Sequence, residues 1–268
     1  MSEHTLWVAF GLTMIAGLST GIGSLIAFLS KHTNTKFLCV SLGFSAGVML
    51  YVSFMELIPT AKEELVQHFG DKTGTLSLVL AFFSGMGLIT LIDFLIPGTN
   101  NPHELQSVEE MSRPDTREKS LHRMGILVAL SLAIHNFPEG IATFTSALNG
   151  LSVAIPITVA IAIHNIPEGI AVSVPIYHAT GNRRKAFWFS FLSGLTEPLG
   201  ALIAYLFLMP FWSPLMNGIV LAAVAGIMVF ISLDELLPTA EKYGEHHLSI
   251  AGLIAGMVVM ALSLFLFI

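Results

Sequence analysis

Eight long apolar segments run through this chain, and they constrain its fold more than any other feature of the sequence. Each has about 20 residues or more, which is the length an α-helix needs to cross the hydrocarbon core of a bilayer. Backbone groups inside a bilayer must be hydrogen-bonded within the protein, so spanning segments of this length form helices. The segments lie at 5–29, 36–58, 74–96, 124–147, 152–177, 186–209, 214–238 and 249–267. The sequence therefore predicts an all-α polytopic membrane protein with eight transmembrane helices.

The composition supports a membrane protein and excludes several other classes. Of 268 residues, 54% are hydrophobic and 11% are charged, whereas an ordinary soluble domain has about 25% charged residues. The sequence has no basic face of the kind that nucleic-acid binding requires. Cys39 is the single cysteine, which rules out a disulfide framework and a cysteine-based metal site.

The basic residues predict which way the chain is threaded. Lysine and arginine concentrate in cytoplasmic loops, and here most of them fall in the odd-numbered loops. These residues are Lys31, Lys36, Arg113, Arg117, Lys119, Arg123, Arg183, Arg184, Lys185 and Lys242. Only Lys62 and Lys72 lie in the opposite set of loops. We therefore expect both termini outside the cytoplasm and the long polar loop 97–123 inside it.

The sequence contains a long internal repetition. Residues 46–61 match 225–240 at one fixed offset without a gap, and residues 17–29 match 194–206 almost as well. Spans one and two therefore resemble spans six and seven, and spans three and eight form a weaker third pair. Five spans separate the members of each pair, so the second copy enters the membrane from the opposite face.

This pattern predicts a single transmembrane domain over 1–268 with a 3+2+3 inverted repeat. Repeat one covers about 5–96, the central helix pair about 124–177 and repeat two about 186–267. Inverted repeats of this kind are associated with alternating access around a site near the bilayer midplane.

A second repetition lies in the central pair, where AIHNFPEG at 133–140 recurs as AIHNIPEG at 162–169. In a helix the histidine and glutamate of each copy are four residues apart and share a face. The proline of each copy lacks an N–H and frees a backbone carbonyl one residue before the histidine, which favours a local kink. Each copy therefore predicts a His/Glu pair able to hold one cation.

Glu197 lies near the middle of span six, at a position that is Thr20 in the first copy of the repeat. A lone buried histidine is usually a hydrogen-bonded packing contact, but ionisable residues are rarely placed in several spans without a function. Nitrogen and oxygen donors favour divalent transition metals, and three carboxylates exceed the need of one four-coordinate ion. Two adjacent ions bridged by Glu139 and Glu168 is therefore a reasonable hypothesis. The candidate ligands are His135, Asn136, Glu139, His164, Asn165, Glu168 and Glu197.

Acidic residues also lie near the two ends of the predicted pathway. Glu56 follows Met49 by seven residues, which predicts one shared helix face. The repeat partner of Glu56 is Glu235, which Asp234 precedes. Carboxylates near span ends are often only interfacial, so a role of Glu56, Asp234 and Glu235 in the ion pathway and a purely interfacial role are both left open.

These motifs together resemble a known family. The paired HNxPEG segments, the TEP at 196–198 and the ELIP at 56–59 are similar to those of the ZIP metal-ion transporters, most closely the bacterial ZupT branch. The resemblance covers nearly the whole chain. It implies import of Zn²⁺, and often Fe²⁺, Mn²⁺, Co²⁺ or Cd²⁺, into the cytoplasm.

The resemblance also implies a division of the ligands between two sites. One site would use His135, Glu139, His164 and Glu168 with Met49 nearby. A neighbouring site would use Asn136, Asn165 and Glu197 and share Glu139 and Glu168.

Our interpretation is an importer of divalent metal ions in a bacterial inner membrane, with no chemical step. The ions are substrate, so no cofactor is expected, and the expected partners are those ions and the lipid bilayer; a homodimer is compatible with the sequence. The alternative is an intramembrane metal hydrolase, because His and Glu on one helix face resemble an HExxH zinc site. Here, however, the glutamate occupies the second ligand position and does not sit beside the histidine as a base.

Overall fold

The computed structural model describes residues 3–29, 35–95, 136–148, 150–243 and 245–266. Within these ranges the protein is helical and has no strand, which confirms the predicted all-α fold. Among the described residues, seven helices are long and apolar enough to cross a membrane, and each falls on one predicted span. The remaining predicted span, 124–147, lies partly outside the described residues. Of this region the structure describes 136–148, which is helical. The predicted loop 97–123 lies wholly outside the described residues.

The helices are numbered here in chain order. The predicted first repeat contains α1 (Glu3–Leu29), α2 (Thr35–Val52), α3 (Ile58–Phe69) and α4 (Asp71–Leu95). The predicted central pair is α5 (136–148) and α6 (Leu151–Thr180). The predicted second repeat contains α7 (Arg183–Gly194), α8 (Thr196–Ile203), α9 (Pro214–Ile231), α10 (Leu237–Tyr243) and α11 (His246–Leu266). A short 3₁₀ turn, Met209–Phe211, precedes α9.

The second span is longer than the sequence predicted. We expected it to end at 58, but α2 continues through a π-helical turn, Ser53–Leu57, into α3 and ends at Phe69. Pro59 does not stop the helix, although its missing N–H leaves one carbonyl of the preceding turn without a helical hydrogen bond. The π-helical turn directly before it, in which Ile58 N–H donates to the carbonyl oxygen of Ser53, takes up this break in the regular pattern. A second π-helical turn, Ser232–Leu236, joins α9 to α10 at the corresponding place in the repeat.

The sixth span is broken where the sequence predicted one continuous helix. It divides at Leu195 into α7 and α8 and then passes through a third π-helical turn, Ala204–Leu208. Pro198 explains the break, because it cannot donate to the carbonyl of Gly194. The break places Glu197 in the first turn of α8.

Two helix crossings hold the central pair in place, and both use glycine so that backbones can touch. At the crossing of α1 with α6, a Cβ on Gly23 would lie 1.9 Å from the carbonyl oxygen of Ile166. At the crossing of α8 with α5, a Cβ on Gly200 would lie 2.3 Å from the carbonyl oxygen of Phe137. Gly23 and Gly200 occupy one repeat position, and Ile166 and Phe137 occupy one position of the duplicated motif. The same contact is therefore made twice.

Apolar side chains fill the interior between α2, α6 and α9 and also cover the outside of the bundle. Met49, Ile161 and Met228 are among the largest fully buried side chains. Many equally large side chains on the outer faces are exposed, among them Phe83 and Phe265. A surface of this kind suits hydrocarbon and not water, in agreement with a multi-pass membrane protein.

Candidate metal centre

The duplicated motif places its polar side chains at the interface between α5, α6 and α8. Glu139 of α5, His164 and Glu168 of α6, and Glu197 of α8 are all buried. His164 and Glu168 lie one helical turn apart on one face of α6, as their spacing predicted. His135, the matching histidine of the first copy, lies outside the described residues. The sequence prediction for its position is therefore not tested here.

Three of the predicted ligands converge closely enough to hold one ion. One ligand atom from each of Glu139, His164 and Glu168 lies within 4.8 Å of the other two. His164 Nε2 is 3.0 Å from Glu139 Oε1, which links α6 directly to α5. Ligand atoms on one Zn²⁺ ion at about 2.0–2.2 Å lie within about 4.4 Å of one another. The spacing therefore fits a single divalent ion after a small inward movement.

Two asparagines extend this cluster toward α8. Asn165 Nδ2 donates to Glu197 Oε1 and to the carbonyl oxygen of Ala16 at 3.0 Å, so it joins α6 to α8 and α1. Asn136 is fully buried on α5. Within the described part of the chain, neither amide atom of Asn136 nor Asn165 Oδ1 has a hydrogen-bond partner. Unpaired buried polar atoms are unfavourable, and an ion held by amide oxygens would remove part of that penalty.

Electrostatics also favours a cation here. Glu139, Glu168 and Glu197 are three buried carboxyl groups in one region of the protein. Buried carboxylates need protons, hydrogen bonds or cations to offset their charge. Imidazole nitrogen together with carboxylate and amide oxygens is a donor set that suits divalent transition metals.

Met49 lies beside this region on α2. It is fully buried, and Ser45, one turn before it, donates from Oγ to the carbonyl oxygen of His164 at 2.8 Å. Residues four apart share a helix face, so Met49 also points toward α6. Its proposed role near the ion stays a prediction.

The predicted pathway carboxylates lie on the π-helical turns. Glu56 and Glu235 are half-buried at corresponding places in Ser53–Leu57 and Ser232–Leu236, and Asp234 is exposed. The prediction that Met49 and Glu56 share one face assumed an uninterrupted α-helix. The π-helical turn Ser53–Leu57 interrupts the α-helix between the two residues and rotates less per residue than an α-helical turn, so the shared face stays a prediction.

One polar contact was missed by sequence reasoning. Asn217, in the first turns of α9, donates from Nδ2 to both carboxylate oxygens of Glu64 on α3, at 2.6 and 2.8 Å. Asn217 is 1% exposed. The signal in the sequence was an asparagine four residues after Ser213 in an otherwise apolar span, but nothing identified its distant partner.

Ionisable side chains buried between the spans of a polytopic helical protein typically mark the path of a transported substrate or ion, which points to the class of membrane transporters. A family model described as ZIP zinc transporter matches residues 97–264. "Zinc transporter ZupT" of Clostridium perfringens is 62% identical over 278 residues, covering 99% of this chain and 98% of that protein. "Zinc transporter ZupT" of Streptococcus mutans is 62% identical over 268 residues and covers 100% of both.

The chain belongs to the ZIP zinc transporter family. It is a multi-pass membrane transporter and not an enzyme, and membership of this family is consistent with metal ions as substrate. The intramembrane hydrolase considered above is not favoured.

Proposed function

We propose that this protein imports divalent transition-metal ions into the cytoplasm, with Zn²⁺ as the main substrate and Fe²⁺, Mn²⁺, Co²⁺ and Cd²⁺ as others. The observation that carries the proposal is the buried cluster of Glu139, His164 and Glu168. Its imidazole and carboxylate donors replace water around an ion that has to cross an apolar interior. The printed names of the relatives, which are zinc transporters, support Zn²⁺ as the main substrate.

The proposed centre holds two ions. Glu139 and Glu168 bridge them, His135 and His164 complete the first site with Met49 nearby, and the second site is completed by Asn136, Asn165 and Glu197. The contact between Asn165 and Glu197 supports a second site, because it holds an amide and a carboxylate side by side next to the first. Outside this centre, Glu56 on one side and Asp234 with Glu235 on the other carry ions along the pathway.

The proposed mechanism is alternating access by an inverted repeat. The matched crossings of α1 with α6 and α8 with α5 support it, because corresponding residues of the two repeats contact corresponding residues of the central pair. A pseudo-symmetric bundle can adopt two related packings around one fixed site, and each packing opens one side.

The proposed location is a bacterial inner membrane with both termini on the outer side. The distribution of lysine and arginine carries this proposal. The exposed apolar side chains give the bundle a surface suited to lipid. A homodimer stays a prediction, to be checked by native mass spectrometry of the detergent-solubilised protein.

Uptake by purified protein in liposomes tests the proposal. We expect Glu139→Ala and Glu168→Ala to reduce Zn²⁺ uptake by at least about 100-fold, because each removes a ligand shared by both ions. Alanine at His164 or His135 should have a similar effect. Glu63→Ala is the matched control, since Glu63 is exposed on α3 and accepts a hydrogen bond from Gln67, which is also exposed. Wild-type uptake in both glutamate variants, at equal protein levels, would remove the central claim.

A further inference from the structure

Three buried serines surround the ligand-bearing segment of α6 and come from three different helices. Ser45 of α2 donates to the carbonyl oxygen of His164 at 2.8 Å. Ser190 of α7 donates to the carbonyl oxygen of Gly169 at 3.2 Å, and Ser24 of α1 reaches the same oxygen at 3.4 Å. All three side chains are fully buried. We call Ser24, Ser45 and Ser190 the serine collar.

The collar engages the backbone at both ends of the segment that carries the ligands. Between those ends lies Pro167, which lacks an N–H and leaves one turn of α6 short of a hydrogen bond. Such a turn is free to bend or rotate unless neighbouring helices hold it. The hydroxyls supply that support, because a carbonyl oxygen has a second lone pair beyond the one used by the helix. The collar thereby fixes the directions in which His164 and Glu168 point.

The other copy of the motif, on α5, has no equivalent support from these positions. The repeat alignment pairs Ser24 with Ala201 and Ser45 with Val224, and neither of these side chains can donate a hydrogen bond. It pairs Ser190 with Thr13, whose hydroxyl donates to Ala9 in its own helix at 2.9 Å. The two copies of the motif are therefore nearly identical in sequence, but only the copy on α6 receives hydrogen bonds from these hydroxyls.

The two asparagines of the motif show the same inequality. Asn165 on α6 is held by the carbonyl of Ala16 and by Glu197. For Asn136 on α5, neither amide atom has a hydrogen-bond partner among the described residues. Both backbone and side chain are therefore fixed on α6, whereas the same side chain on α5 is left to be oriented by what it binds.

We propose that the serine collar positions the α6 ligands, so that α6 is the preformed half of the metal centre and α5 is the half that adjusts around the ion. The three serines do not touch the ion and act through the backbone of α6. This inference rests on the proposed function as a metal-ion transporter. Its consequence is that affinity and discrimination between ions depend on residues outside the ligand set.

The test measures Zn²⁺ uptake in proteoliposomes and Zn²⁺ affinity by calorimetry for a Ser45→Ala/Ser190→Ala variant. Loss of two interhelical hydrogen bonds should raise KM and Kd about tenfold and weaken the preference for Zn²⁺ over the larger Cd²⁺. The maximal rate should change much less, because the ligands themselves remain. Ser45→Thr and Ser190→Thr keep the hydroxyl and should restore KM. Thr13→Ala removes a buried hydroxyl at the repeat position of Ser190 and should leave KM unchanged.

An unchanged KM and Kd in the double variant, with only lower protein yield or thermal stability, would overturn the proposal and leave the serines as packing residues. If the double variant does not fold, the two single variants are measured, and an unchanged KM in both has the same meaning. Glu168→Ala is assayed in parallel to separate the two levels of inference. If Glu168→Ala loses uptake but the serine variants keep the wild-type KM, the role of the serine collar is rejected and the proposed function stands. If Glu168→Ala keeps wild-type uptake, the proposed function itself is rejected.

Discussion

The crossing of α1 with α6 and the crossing of α8 with α5 are built from the same repeat and motif positions but carry different chemistry. Both bring backbones together through glycine, so their geometry is nearly the same. Yet Thr20 stands in one crossing where Glu197 stands in the other, and only Glu197 bonds to an asparagine of the motif. The comparison shows that the scaffold follows the repeat, whereas the chemistry of the centre is added to one side of it.

The largest expected effect comes from separating the backbones at either crossing. Gly23→Leu and Gly200→Leu each insert a side chain where a carbonyl oxygen lies 1.9 or 2.3 Å from the new Cβ. We expect each to lower the free energy of unfolding by about 3 kcal/mol, and by similar amounts if the crossings are equivalent. Thermal unfolding in detergent measures this. Gly11→Leu, on α1 with no atom within 4 Å of a new Cβ, is the control. A large loss at only one crossing would contradict their equivalence.

The second prediction concerns a substitution that removes the chemical difference between the two crossings and leaves their glycine packing unchanged. Glu197→Thr gives α8 the residue that α1 has, and Thr20→Val is the matched control on the other side. Two divalent ions repel strongly in a site of low dielectric constant, and a third carboxylate offsets that repulsion. We expect wild type and Thr20→Val to bind two Zn²⁺ ions and Glu197→Thr to bind one, with rate and selectivity reduced more than affinity. Calorimetric titration counts the ions, and equal stoichiometry in all three proteins would rule out the second site.

The smallest effect concerns the contact between α3 and α9, which the repeat pairs with the contact between α10 and α2. Asn217 holds Glu64 at the first contact, and the alignment places Leu38 at its position in the second. We expect Asn217→Leu to reduce stability by about 1 kcal/mol, since Glu64 is half-buried and partly solvated without its partner. Gln67→Ala, which removes an exposed bond to Glu63, should have no measurable effect. Equal unfolding temperatures for Asn217→Leu and Gln67→Ala would show that the contact between Asn217 and Glu64 does not contribute to stability.

Local patterns in the sequence were enough to predict the helical fold, the seven spans that the described residues contain, and the family. The length of an apolar segment decides whether it can cross the bilayer. The four-residue spacing of His164 and Glu168 places both side chains on one helix face. The convergence of Glu139 with these two residues also followed, because the duplicated motif lies at similar depth on adjacent helices. Binding of an ion there remains a prediction.

Other features could not be predicted because they depend on contacts between distant parts of the chain. Ser45 looks like any small residue of an apolar span, and its importance appears only when α2 lies beside His164. The same holds for Asn217 and Glu64. The continuation of α2 past Pro59 was missed because a proline alone does not say whether a π-helical turn precedes it. In retrospect, the repeated ELIP and ELLP sequences at 56–59 and 235–238 were a signal for that turn.

The two matched π-helical turns make the long helices mechanically uneven. A regular α-helix behaves as a stiff rod that passes a displacement at one end on to the other. A turn with wider hydrogen-bond spacing is a compliant joint in such a rod. The joints at Ser53–Leu57 and Ser232–Leu236 separate α3 from α2 and α10 from α9. We therefore expect each short end segment to swing without bending the rod beside it, so that either end of the proposed pathway moves while the packing around Met49 and Met228 stays rigid.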